Sequence, residues 1–354
     1  MRDWMTSNDV RAAFANQVAY CRANGGTITM RVVEAILANI EGPGVFLKAI
    51  REWPGVPMAD ALPLRAAAGL HALNLSGAEP ALAPLYAGEP AALADAERLV
   101  GEAIARHDAD LLPWLDGPPQ TNEAGRSWGY VAALLWLAGQ GLPPRWDCIE
   151  IGSSAGINLM IDRYRYELGG VDVGPMDSGM RIAPEWLGSP PPAVPAGWTF
   201  ESIKGCDVAP VDLTDPAQLL RLRAFVWREH IERFARLDFA AQSAGERKPD
   251  LVQADAAEFV EAELARPQAV GSTRVLMHSI VWQYLGDARR ERITTAMEAA
   301  GPRASAEPPL AWVMLEANRE TLQHELVVRC WPDGGESRLL GKAHPHGAWA
   351  EWLA

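Results

Sequence analysis

Four stretches of this chain set a polar residue at the end of an apolar run, and each offers a chemistry. In CIEIGSSAGIN, Cys148–Asn158, the acid Glu150 is followed by Gly152, Ser153, Ser154 and Gly156. Small residues let a ligand approach the backbone, and glycine permits the positive φ that such a turn often needs. KGCD ends at Asp207, a carboxylate able to accept both hydroxyls of a ribose. QAD ends at Asp255, followed by Ala256, and can accept the exocyclic amine of an adenine. MHSIVWQYL presents His278 and Tyr284 to whatever the ligand carries, the alternative for His278 being a buried strand histidine bonded to the backbone. Upstream, QTNEAGRS carries Gln120, Thr121, Asn122, Glu123 and Arg126, more polar groups than a helix cap requires. Arg126 offers a bidentate grip on a carboxylate. The alternative is capping together with a Glu123–Arg126 ion pair.

These residues must be positioned by elements, and the chain changes rhythm where they begin. The first third reads as helices: Val10, Phe14, Val18 and Cys21 recur at helical spacing behind a Ser7 or Asn8 cap, and Gly25 marks the stop. Further helices are expected over about 62–75, 90–107 and 122–138, separated by proline-bearing breaks such as WLDGPPQ. From Arg145 onward, short apolar runs alternate with longer amphipathic segments, the pattern of βα units around a parallel sheet. The expected strands are WDCIEI, FESIKGCD, PDLVQAD, TRVLMHS and LAWVMLEA, with helices INLMIDRYRY, DPAQLLRLRAFVWREHIERFARL and DARRERITTAMEAA between them. HELVVRCW, PDGG and SRLLGKAH close the chain as an antiparallel hairpin. The division expected is a helical domain over 1–120 and a sheet domain over 121–354. An irregular, Gly- and Pro-rich insertion at about 168–200 is read as a lid, because Met180, Ile182 and Trp186 give it something to bury.

Composition excludes several classes. Forty-five acids against 32 Lys and Arg give a net charge of −13, and no basic cluster is long enough to track a phosphate backbone, so nucleic acid is not expected as a partner. No stretch approaches the ~20 apolar residues that a membrane span needs, and MRDWMTSNDV lacks the order of a secretion signal; a cytoplasmic location is the expectation. The four cysteines, Cys21, Cys148, Cys206 and Cys330, are far apart and read as reduced and buried, without metal-clamp spacing. His344 and His346 in AHPHG read as a turn rather than a metal pair. Oligomeric state leaves no mark that separates from core.

In a parallel sheet, ligands bind at the carboxyl ends of the strands. Acids at three of them suit one adenosine-containing ligand. The turn from Gly152 is G-S-S-A-G, with Ser154 where a pyrophosphate-binding turn has its middle glycine, so a nucleoside without phosphate fits better. That points to S-adenosylmethionine. The ordered set of glycine-rich turn, strand-end acids and final hairpin resembles the class I methyltransferase sheet. More closely, QTNEAGRS, EIGSSAGINLMIDRYRY, GCDVAPVD, FVWREHIERFARL, HSIVWQYL and AHPHG resemble the bacterial family catalogued as domain of unknown function 2332 (DUF2332) across nearly the whole chain. The resemblance implies a Rossmann-like methyltransferase fold and no particular substrate. By position, Glu150, Gly152 and Gly156 match the acid and outer glycines of the methyltransferase turn, Asp207 the ribose acid, and Asp255 with Ala256 the adenine side. Ser153 and Ser154 lie within the same turn, and Ser154 departs from the pattern. Thr121, Asn122 and Arg126 are expected at the methionine end. The expected activity is methyl transfer to a small acceptor, with His278 and Tyr284 near the methyl group. The alternatives are a non-catalytic binder of the same nucleoside and a nicotinamide-dependent oxidoreductase.

Overall fold

A computed structural model of the chain describes residues 8–117, 119–120, 122–318, 320–321 and 323–354. Seven helices come first: α1 (Val10–Ala23), α2 (Thr27–Ala38), α3 (Val45–Arg51), α4 (Leu62–Leu75), α5 (Ala83–Tyr86), α6 (Pro90–Ala94) and α7 (Ala96–Arg106). Helix α8 (Trp128–Gly139) then leads into strand β1 (Arg145–Ile151). Short strands β2 (Arg165–Leu168), β3 (Val171–Val173), β4 (Arg181–Ile182) and β5 (Glu185–Leu187) precede the longer β6 (Thr199–Asp207). The order continues α9 (Pro216–Phe225), α10 (Ile231–Glu246), β7 (Asp250–Gln253), α11 (Ala256–Ala265), β8 (Thr273–Ser279), α12 (Asp287–Ala300) and β9 (Leu310–Asn318). An edge of β10 (Gln323–Trp331), β11 (Arg338–Ala343) and β12 (Trp349–Trp352) completes it.

The chain divides into two compact units, Met1–Thr121 with Asp215–Ala235, and Asn122–Thr214 with Arg236–Ala354. In the first, α1 begins where the Asp9 side chain, one residue past Asn8, accepts from the Ala12 amide at 3.0 Å; Ser7 lies outside the described residues. Helix α7 shows the usual division of faces: Val100, Ala103 and Ile104 are buried, while Arg98 bridges Asp95 and Glu102 in solvent. The core of this unit gathers Phe14, Val33, Ile36, Phe46, Ile50, Leu62, Leu70 and Leu85.

The second unit is mixed α/β around a nine-stranded, mostly parallel sheet in the order β5-β12-β11-β10-β9-β8-β1-β6-β7. β7, β6, β1, β8 and β9 are mutually parallel. From β9 the sheet turns antiparallel through β10, β11 and β12. Helix α8 is buried at every position from Trp128 to Leu137, which is what an all-apolar WGYVAALLWL sequence requires.

The residues after β1 differ from the reading INLMIDRYRY suggests: Ile157–Arg163 form a 3-10 stretch with a kink at Met160, and Arg165 already begins β2. The segment read as a lid contains three short strands, with 174–180 and 188–198 outside any strand. β3 and β4 flank β2 in a three-stranded sheet, and β5 joins the large sheet beside β12. Trp186 on β5 packs between Trp128 and Trp352, each ring 5.7 Å away. Strands of two or three residues are too short to show a period of two, so no pattern was available to mark them.

Candidate active site

The chain leaves β1 toward β6 and β7, then returns to β8 and β9 on the other side of β1. A doubly wound sheet opens its ligand crevice where the winding reverses, outside the carboxyl ends of the two strands concerned. Here those ends are Ile151 on β1, one residue past Glu150, and Ser279 on β8.

Glu150 is 2 % exposed. Its Oε1 accepts from the Tyr130 hydroxyl at 3.1 Å and from Asn158 Nδ2 at 3.0 Å, while Oε2 has no partner among the described residues. Burial pushes its carboxyl above the usual range, against the pull of the Asn158, Ser153 and Tyr130 bonds and of the Arg126 charge. Arg126 is itself 6 % exposed, and its Nε lacks a partner among the described residues. Asn158 Oδ1 and Ser154 Oγ are also buried with no partner among the described residues. Four unsatisfied polar atoms of opposite character on these neighbouring elements are far from the ordinary condition of a protein interior.

The turn after β1 has the backbone its composition requires, with φ of 66° at Gly152, 53° at Ser154 and 71° at Gly156. Its amides are engaged within the chain. Ser153 N–H donates to the Cys206 carbonyl, Ser154 N–H to Asp207 Oδ2 at 2.8 Å, and Gly156 N–H to the Ser153 carbonyl. Asn122 Oδ1 accepts from both Ala155 and Ile157, each at 3.2 Å. The glycines serve packing: a Cβ on Gly152 would stand 2.2 Å from Val281, and one on Gly156 3.0 Å from Pro249. The amides of this turn are thus committed within the chain, and its side chains are the groups left over.

The remaining expected residues fall as follows. Asp207 closes the turn and also accepts the Ala209 amide through Oδ1 at 2.9 Å. Asp255 caps α11, accepting from Ala257 and Glu258, and its other oxygen pairs with Arg289; Ala256 is the buried first residue of that helix. His278 is fully buried, and both of its ring nitrogens are taken. Nδ1 lies 2.6 Å from Glu316 Oε1, and Nε2 accepts from the Trp312 indole at 3.0 Å. The same Glu316 oxygen accepts the Val281 and Trp282 amides, so the pair pins the turn after β8. Tyr284 is 70 % exposed at the end of that turn. Glu123 pairs with Arg236 at 2.8 Å and caps the turn entering α8. Thr121 lies outside the described residues.

Glu150, Ser154, Asn122 and Arg126 are thus brought to one place, where Tyr130 and Asn158 join them. Sequence reading missed those two: Tyr130 sits inside an apolar helix and Asn158 inside an expected helix, and neither advertises a carboxylate partner 20 or 8 residues away. His344 and His346 do form a turn, the His346 amide donating to His344 Nδ1. Among the described residues no group of three or more His, Cys, Asp or Glu could hold a metal, and no helix is long and apolar enough to cross a membrane. The family model described as "Uncharacterized protein conserved in bacteria (DUF2332)" matches residues 11–352. No curated protein and no solved structure matches the chain.

Proposed function

For a chain that belongs to the DUF2332 family, with unsatisfied buried charges at the reversal point of its sheet, we propose S-adenosylmethionine-dependent methyl transfer to a small acceptor. The observation that carries this reading is Glu150, whose free oxygen accompanies an incompletely bonded Arg126. A carboxylate held in low dielectric favours a cationic partner, and a guanidinium favours an anionic one. The amino-acid end of a zwitterion brings both. Glu150, with Asn158 Oδ1 and Ser154 Oγ, would take the ammonium, and Arg126 the carboxylate.

Asp207 would face the sugar. Each of its oxygens accepts one amide, and a carboxylate has about four acceptor sites, so each oxygen keeps a lone pair for a hydroxyl. S-adenosylmethionine supplies an electrophilic methyl group on a sulfonium when bound. The protein's part in such a reaction is mainly to hold the reactants in line, and it needs a base only if the acceptor loses a proton.

A second reading, binding without transfer, is favoured by one observation: His278 has neither nitrogen available to act as that base. Incubating the native chain with methyl-labelled S-adenosylmethionine and dialysed bacterial extract separates the two. Labelled product formed by the native chain and absent with Glu150→Gln supports transfer. Saturable binding without label in any acceptor supports the second reading, and the absence of both removes the proposal.

A further inference from the structure

Trp198 leads into β6, whose first residues, Thr199 and Phe200, pair with Arg145 and Trp146 at the amino end of β1. Glu150 lies toward the other end of the same strands, opposite Gly205. The Trp198 ring rests against the buried Trp146, centroids 5.5 Å apart, and stands at 85° to Phe200 across 6.0 Å. Rings set this way form a corner, and the neighbouring elements leave it unfilled. Tyr166 of β2 supplies a third ring, its hydroxyl engaged with Ser127 at 3.0 Å.

The cavity that results has a volume of about 290 Å³. Small-molecule pockets begin at ~300 Å³. Val131 and Val173 add buried apolar wall, while Gly174 and Thr199 are exposed at the rim. Of the lining residues only Asp162 is charged. Its Oδ2 pairs with the Arg247 guanidinium, a group mostly in solvent, and its Oδ1 is buried with no hydrogen-bond partner among the described residues. An exposed ion pair is weak and screened, so the carboxylate keeps most of its pull on a second cation. A buried carboxylate oxygen without a donor is unfavourable, and a ligand that brings one removes that penalty.

We propose that this cavity binds a small organic cation, an ammonium carried on an aromatic or apolar body. The ammonium donates to Asp162 Oδ1, and the body lies in the corner made by Trp198, Phe200 and Tyr166, whose ring faces also attract a cation. The site belongs to the α/β unit and shares none of the residues assigned to the zwitterion at Glu150.

Phenethylamine titrated into the full chain, with phenethyl alcohol as its neutral counterpart, tests this by calorimetry or ligand-observed NMR. The expected result is saturable amine binding with Kd below about 1 mM and the alcohol at least ~10-fold weaker, because only the amine brings a charged donor to the carboxylate. Asp162→Asn, its fold checked by thermal melting, should weaken the amine by about 10-fold. Phe200→Leu, which keeps the carboxylate and removes one ring, should weaken it by about 3-fold. No saturation by about 10 mM amine, or alcohol binding as tightly as amine, overturns the proposal. So does amine affinity that is unchanged by Asp162→Asn or abolished by Glu150→Gln, which would put the amine in the other crevice. The amine-to-alcohol ratio on the unaltered chain and the Phe200→Leu result decide the matter if Asp162→Asn does not fold.

Discussion

Glu150 sits inside the protein with donors on one oxygen and, among the described residues, none on the other, and its protonation therefore bears on stability. Its folded-state pKa is raised by burial, so between the ordinary glutamate value of 4.5 and that raised value the folded chain binds more protons than the unfolded one. Stability contributed by this residue is lost as pH rises through that window and is intact below it. Glu150→Gln does not titrate. Its melting temperature relative to the native chain should therefore climb as pH rises above 4.5, and a difference flat across pH would contradict the assignment. At this scale the sequence was partly legible. An acid closing an apolar run stands out against the usual solvated strand end, and the same is true of the polar cluster around Arg126. Asp255 shows the reverse case, because a strand-end acid and a helix cap have the same sequence signature. Asp255→Ala should cost about 1 kcal/mol through the lost cap, with Asp255→Asn recovering most of it in denaturant melts.

The element that decides the site's shape is the turn after β1. Gly152→Ala meets two separate penalties, the left-handed backbone at φ 66° and a Cβ 2.2 Å from Val281. The first costs about 1–2 kcal/mol and the second about 1–3 kcal/mol. In a double-mutant cycle measured by denaturant unfolding, Val281→Ala should recover the part due to the Val281 methyl groups and leave the backbone part and the residual 2.7 Å approach to the residue 281 Cβ. Additive effects would mean the two turns do not touch. Glycine-rich turns read the same from sequence whether they face a ligand or a neighbouring chain segment, which is why the contact with Val281 could not be foreseen. β8 and β9 were legible as apolar runs, VLM and LAWVML, and both are largely buried, as strands covered on both faces tend to be. β1, β6 and β7 were legible as short apolar-rich segments between turn signals, although β6 and β7 are only partly covered. Strands β3, β4 and β5 were not, and the helix expected over INLMIDRYRY failed where β2 pairs Tyr166 with Val173 and Ile182. Pairing partners close in space and irregular in spacing outweighed helical propensity there.

For the molecule as a whole, the sequence separates a helical first third from an α/β remainder, yet it does not show that 215–235 returns to the first unit. Phe225 and Ala224 pack with Ala68 and Ala72 of α4, a contact between residues some 150 positions apart that no local pattern encodes. Net charge is legible at this scale: at −13 the chain is expected not to be retained on duplex DNA at about 0.15 M salt, and a gel-shift titration showing retention would contradict that expectation. The central claim is that Glu150 and Arg126 receive the amino-acid end of a zwitterionic nucleoside. Titration calorimetry of the native chain and Glu150→Gln with S-adenosylmethionine and its demethylated product tests it most directly. The account predicts one ligand per native chain and at least ~10-fold weaker binding by the variant, the loss expected when a charged hydrogen-bond partner is removed. No heat from either ligand, or equal affinity in the two proteins, would contradict it.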